Sequence, residues 1–119
     1  MDRAEALKLV EESFARGSNT PCTWAEDRDA YIAAEQDKLR ARLIDPFPAL
    51  IRADEWAQKV CKREPGPHAM WAIAHQDGQW LFYSTSLRQF FLVYGNLDDP
   101  NGLAMLGHSS DDALVEWLG

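Results

Sequence analysis

The spacing of apolar side chains predicts a helix at the start of the chain. Leu7, Val10 and Phe14 recur at the three- and four-residue intervals of an amphipathic helix. Asp2 belongs to the residue types that cap helices, and Gly17 belongs to those that end them. We therefore expect a first helix between these two positions.

A second helix is predicted after a short turn. Thr23 and Glu26 have the spacing of a capping box. An apolar stripe runs from Ile32 to Leu43, with charged residues on the opposite side, which is typical of a helix of about twenty residues. The prolines of segment 45–48 end this pattern, because proline cannot continue the helical hydrogen-bond ladder.

A short third helix is predicted from Asp54, as its cap, through Cys61. Its apolar side is formed by three residues, Trp56, Ala57 and Val60. Segment 64–67 (Glu-Pro-Gly-Pro) then interrupts the chain, and beyond it the apolar period changes from helical to strand-like. We expect a helical half before this point and a β half after it.

A β-hairpin is the clearest element of the second half. Asp77 and Gly78 tolerate the positive φ angles of a two-residue turn, and this turn pairs His75 with Trp80. One face of the hairpin then carries bulky residues, namely Trp71, Ile73, His75, Trp80 and Phe82. The other face is smoother, with Ala72, Ala74, Leu81 and Tyr83. Because both faces are apolar, we expect a helix over the smoother face and a separate cover over the aromatic one.

The rest of the chain predicts further strands and a last helix. Residues 89–94 are rich in aromatic and β-branched types and favour a strand, although Ser86 also fits a capping box for a short helix over 87–94. A loop over 98–102 and a strand over 103–106 follow. Segment 109–112 can cap a terminal helix, whose apolar residues are Ala113, Leu114, Trp117 and Leu118.

These elements predict one α+β domain over residues 1–119, a length that suits one hydrophobic core. Its mainly helical half covers 1–64. The half from 68 to 119 holds an antiparallel β-meander of three or four strands and a short C-terminal helix packed on the sheet.

The charge distribution disfavours nucleic acid and membrane surfaces as partners. The formal net charge is −7, and all twelve Lys and Arg residues lie at or before Arg88. The segment after Arg88 is purely anionic. Such a chain repels phosphate groups and attracts cationic proteins. The N-terminal sequence lacks the apolar block of a signal peptide and no apolar run is long enough to span a bilayer, so we expect a cytoplasmic protein.

The sequence predicts no catalytic residue, cofactor or metal site. A calcium loop around Gly102 would place Leu97 and His108 at ligand positions, which does not fit. The three histidines lack metal-ligand spacing. Cys22 and Cys61 are interpreted as reduced, partly buried thiols. The alternative is a dyad of one of these thiols with a distant histidine, but any chain with two cysteines and three histidines offers such pairs by chance.

Surface residues are the remaining candidates for function. Thirteen aromatic residues are many for a core of this size, and aromatic side chains are frequent anchors of interfaces. The predicted anchors are Trp71, Trp80 and Phe82. The predicted steering charges are Asp98, Asp99, Asp111, Asp112 and Glu116. The structural alternatives are that the aromatic residues fill the core and that the carboxylates cap a helix or solvate a loop.

This pattern favours a non-enzymatic acidic protein-binding module with a basic protein partner. An immunity-type inhibitor that masks the basic site of a cognate bacterial toxin has this profile, because its association must be fast and electrostatically steered. One alternative is a homodimeric structural or regulatory module that buries the aromatic hairpin face. A second is a small enzyme with a pocket between sheet and helices, using His75 or His108 with an acidic neighbour.

Overall fold

The computed structural model describes residues 1–99 and 102–119 and has an α+β fold. Its helices are α1 (Arg3–Ala15), α2 (Arg28–Arg40), α3 (Glu55–Lys59) and α4 (Ala113–Leu118). Its strands are β1 (Leu43–Ala53), β2 (His68–Gln76), β3 (Gln79–Ser84), β4 (Gln89–Tyr94) and β5 (Leu103–Ser110). Among these described residues, no helix combines the length and the apolar character that crossing a bilayer requires.

The five strands form a closed barrel in sequence order. Each consecutive pair is antiparallel, so the first and the fifth strand point in the same direction. Closure therefore requires a parallel pairing, and β1 and β5 meet in parallel at three positions, from Ile51↔Leu103 to Ala53↔Met105. The α+β class is confirmed, but the described chain contains five strands where we expected three or four.

Strand β1 lies where we expected the end of a helix and a proline-rich turn. Leu43 and residues 47–51 pair with β2, whereas β5 joins β1 only at Ile51 and beyond. Proline is tolerated in a strand with one neighbour, because an N–H that points away from that neighbour has no ladder bond to make. A register shift between Leu43 and Phe47 also accommodates the segment that contains Pro46.

Helix α2 is shorter than predicted and begins later. Its cap is Asp27, whose side chain accepts a hydrogen bond from the Ala30 backbone N–H at 3.0 Å, so the predicted cap at Thr23 is wrong. Leu43, which we expected on its apolar stripe, belongs to β1. The stripe nevertheless continues into the same core, since Ile32, Leu39 and Leu43 are all buried there.

The other predicted elements are confirmed. Asp2 caps α1, Asp54 caps α3 and Asp112 caps α4. Residues 89–94 form strand β4 and not the alternative helix. Strand β5 extends four residues beyond the predicted 103–106. The predicted loop 98–102 includes positions 100 and 101, which lie outside the described residues.

The β2–β3 hairpin has the predicted turn, but its register differs from the predicted one beyond Ala74. Asp77 and Gly78 adopt φ angles of 48° and 81°, and His75 pairs with Trp80. A bulge between Ala72 and Ala74 then shifts the ladder, so Ala72 pairs with Phe82 where Tyr83 was expected. A one-residue shift moves a side chain to the other face of a sheet. Trp71 and Ile73 therefore do not share a face with Trp80 and Phe82.

Two hydrophobic cores cover the two faces of this hairpin. Trp80 and Phe82 point into the barrel, together with apolar residues from all five strands. Leu81 and Tyr83 point outward into a second core. That core also contains residues of α1, α2 and α4: Ala6, Val10, Ile32, Leu39, Ala113, Leu114 and Trp117. The hairpin is apolar on both faces because the barrel interior covers one face and the helices cover the other.

Contacts across the whole chain hold α4 against α1 and the turn after it. The buried Ser13 hydroxyl accepts a hydrogen bond from the Ala113 N–H at 2.8 Å. The Asp112 carboxylate caps α4 through the Val115 N–H and also accepts from the Asn19 N–H at 2.8 Å. This one carboxylate therefore satisfies donors from both ends of the chain.

We predict that Asp112→Ala lowers the free energy of unfolding by about 2 kcal/mol, the upper range for loss of a helix cap, because the Asn19 N–H and the Ser18 hydroxyl also lose their acceptor. Asp27→Ala is the matched control, since it removes a cap with the Ala30 N–H alone and should cost about 1 kcal/mol. Urea denaturation measures both. Equal losses would show that the contacts with Ser18 and Asn19 contribute nothing.

Candidate functional site

An acidic concavity lies where the hairpin turn meets the segment after β4. The Gly95 N–H donates to the Gly78 carbonyl oxygen at 2.9 Å, which holds the two turns together. The Trp80 indole N–H donates to the Gly95 carbonyl oxygen, also at 2.9 Å. The position of the segment that follows Gly95 is thus fixed by the hairpin.

The acidic concavity has a volume of about 560 Å³ and an open mouth. Its lining consists of His75, Trp80, Asn96, Leu97, Asp98 and Asp99. No lysine or arginine is among these described lining residues. The described wall of the concavity therefore combines apolar and acidic side chains.

Trp80 and His75 form the floor of the acidic concavity. Their ring centroids lie 3.9 Å apart, and Phe47 packs edge-on against Trp80 at 5.8 Å from inside the barrel. Trp80 is 5% exposed and its indole nitrogen is hydrogen bonded, so the ring has little freedom to move. The floor is consequently rigid and largely apolar.

The rim carries exposed apolar and acidic side chains. Leu97 is 60% exposed. Asp98 is exposed, Asp99 is partly exposed, and the exposed Asp77 lies in the adjoining hairpin turn. An apolar contact surrounded by carboxylates is suited to a cationic protein surface.

The structure separates the five predicted steering residues into different environments. Asp98 and Asp99 lie together on the acidic concavity. Asp111 is exposed but lies 3.6 Å from the Arg16 guanidinium, which offsets its charge. Asp112 and Glu116 are buried, so the expected solvent-facing position of these two carboxylates is wrong.

The expected exposure of two predicted anchors is also wrong. Trp80 and Phe82 are 5% and 0% exposed because closure of the barrel encloses their face of the hairpin. Trp71 is half-buried against the helix-covered core, on the opposite face of the sheet. The exposed apolar residue of the acidic concavity is Leu97, which sequence reasoning missed. Its signal was a leucine between the polar Asn96 and Asp98, directly before the predicted loop 98–102.

A second cluster brings together groups that are distant in the sequence. The Cys61 Sγ lies 3.9 Å from the His108 Nδ1 and 3.9 Å from the Leu106 carbonyl oxygen. His108 also borders a cavity of about 340 Å³, together with Ser109 and the buried Glu116. The described residues contain no group of three or more His, Cys, Asp or Glu side chains that could hold a metal ion.

Burial raises the pKa of the Glu116 carboxyl above its ordinary value. The charge of His108 and a 3.5 Å hydrogen bond from the Ser110 hydroxyl act in the opposite direction, and the negative charge of Asp112 adds to the increase. Because the charged carboxylate is the disfavoured form, Glu116 destabilises the folded chain at neutral pH.

No protein-family model, curated protein or solved structure matches this chain.

We predict that Glu116→Gln raises the free energy of unfolding at pH 7. The folded pKa of Glu116 lies above the unfolded one, so the native state binds its proton more tightly and stability falls as pH rises between these two values. The amide removes this loss, and thermal melting from pH 4 to pH 8 measures it. Glu26→Gln, at an exposed position, is the control and should leave the profile unchanged. A lower melting temperature for Glu116→Gln at pH 7 would contradict the prediction.

Proposed function

We propose that this chain is a non-enzymatic protein-binding module that docks a basic protein partner on the acidic concavity. The single observation that supports this proposal is the conjunction of Leu97, a rigid aromatic floor and the carboxylates of Asp98 and Asp99 in one open site. Interfaces of this kind combine a buried apolar contact with a charged rim.

The acidic rim and the net charge of −7 would act at different stages of binding. Long-range attraction between an acidic protein and a basic partner raises the association rate. Once the partner has docked, the exposed Asp98 pairs with its cations while Leu97 is desolvated. The bound chain would then block whatever the basic surface of the partner does.

The partner class that we propose is a toxin with a cationic active surface, so that the chain acts as an immunity-type inhibitor in the cytoplasm. Inhibition would proceed by steric and electrostatic occlusion and requires no chemistry from the chain. Rapid, steered association suits such an inhibitor, since a toxin has to be neutralised before it acts.

We predict that Asp98→Lys weakens partner binding at least tenfold, chiefly through the association rate, and leaves the melting temperature within 2 °C or so. The partner is first captured on the wild-type chain from its native cells and then purified, and association is measured by surface plasmon resonance from low to high salt. Glu64→Lys, an exposed change of equal charge on the segment that leads into the far end of β2, is the matched control.

The proposal is overturned if Asp98→Lys and Glu64→Lys slow association equally, or if salt leaves the wild-type rate unchanged.

A second variant tests the apolar contact. Because Leu97 is already 60% exposed, Leu97→Ser should not affect folding, yet it should accelerate dissociation of the partner about tenfold.

Sedimentation of the wild-type chain in the same experiment tests the homodimer alternative. The aromatic face that a second copy was expected to cover lies inside the barrel. If the wild-type chain forms a concentration-dependent dimer and Leu97→Ser dissociates it, the occupant of the concavity is a second copy of this chain and not a foreign protein.

A further inference from the structure

The contact between Cys61 and His108 depends on the close approach of α3 to β5. Gly107 has a φ of +108°, and a Cβ added there would lie 2.8 Å from the Ala57 Cβ and 3.0 Å from the Cys61 Cβ. Only glycine fits at such a position without displacing the helix. The bare backbone at Gly107 therefore allows the thiol to reach the imidazole of the next residue.

Arg63 fixes the strand on both sides of His108. Its guanidinium donates to the Gly107 carbonyl oxygen at 2.9 Å and to the Ser109 hydroxyl at 2.8 Å, and it lies over the ring of Phe91. The residues before and after His108 are thus held by the same side chain. Because Arg63 follows Cys61 by two positions, it also keeps the cysteine segment beside β5.

The sequence next to Cys61 is basic, in contrast to the acidic composition of the whole chain. Lys59, Lys62 and Arg63 lie within two positions of Cys61, so a five-residue segment holds three of the twelve basic residues. Cys61 is partly exposed, as reactive cysteines in electropositive environments are. Cys22, in contrast, is buried in the core beneath the helices.

We propose that Cys61 is a site of thiol–disulfide exchange with anionic low-molecular-weight disulfides, with His108 as the proton acceptor. His108 Nδ1 takes the proton of the Cys61 thiol, and the Sγ thiolate attacks one sulfur of the disulfide. The disulfide bond of the reagent breaks, a new bond joins its attacked sulfur to Sγ, and the second sulfur leaves as a thiolate. That leaving thiolate takes the proton from His108, so the exchange is balanced in protons and electrons.

The charges of the neighbouring lysines are the reason why we propose an anionic disulfide as the reagent. Lys59 and Lys62 are exposed and lie two positions before and one position after Cys61, so their charges act at short range on a reagent that carries carboxylates. This site is distinct in its residues from the acidic concavity, which repels the same reagent. The exchange therefore does not rest on the proposed binding function.

Oxidised glutathione, which is anionic, and cystamine, which is cationic, are the probes. The chain is tested as Cys22→Ala, which keeps Cys61, and as Cys61→Ser, which keeps Cys22. We expect one glutathionyl adduct on Cys22→Ala in native buffer, measured by intact mass, and none on Cys61→Ser until urea unfolds it. The rate of Cys22→Ala with oxidised glutathione should fall with added salt, and the rate with cystamine should not.

Two further variants, made on Cys22→Ala, separate the roles of the charges and of the imidazole. Lys59→Gln with Lys62→Gln should slow oxidised glutathione about threefold to tenfold without slowing cystamine, because steering depends on the sign of the reagent. His108→Gln should slow both probes about tenfold, since it removes the proton acceptor. Lys8→Gln on α1 is the control for loss of a surface cation.

The inference is overturned if Cys22 and Cys61 react at equal rates in the folded chain, or if the two probes keep the same rate ratio at low and high salt. The salt comparison uses the unaltered surroundings of Cys61, so it decides the matter even where a substitution prevents folding.

Discussion

Burial of the β2–β3 hairpin on both faces is the constraint on which the rest of the structure depends. A chain of this size usually provides one apolar layer against one face of a sheet. Here the sheet curls until Trp80 and Phe82 lie in its own interior, and the helices pack on Leu81 and Tyr83 outside. The bulge after Ala72 divides the residues of β2 between these two environments. Trp80, which belongs to the barrel core, also lines the acidic concavity.

The odd number of strands decides how the barrel closes and where its pairing is shortest. An antiparallel meander of five strands ends in the direction in which it began, so β1 and β5 join in parallel over a short stretch. The remainder of β1 has β2 as its paired neighbour, and this is the part that accepts Pro46 and Pro48. Proline also protects such a strand from pairing with another molecule.

Local signals in the sequence predicted local structure well, and tertiary constraints explain the failures. The caps at Asp2, Asp54 and Asp112 and the turn at Asp77 each depend on a few adjacent residues. Strand β1 was missed because prolines that end a helix are also compatible with a strand that has one neighbour. The acidic site was predicted in part: Asp98 and Asp99 share it, whereas the sequence could not show that Asp112 and Glu116 are buried. Cys61 and His108 are brought together by packing at Gly107, for which spacing offers no signal.

The attachment of α4 to helix α1 and to the turn after it has a consequence for biosynthesis. Ser13, Asn19 and Arg16 find their partners at Ala113, Asp112 and Asp111, about a hundred residues later. While the ribosome is still making β5, the outer faces of α1 and of the hairpin have no final cover, and their apolar side chains remain available to chaperones. Folding of the two halves is therefore expected to be completed together, after α4 has emerged from the exit tunnel.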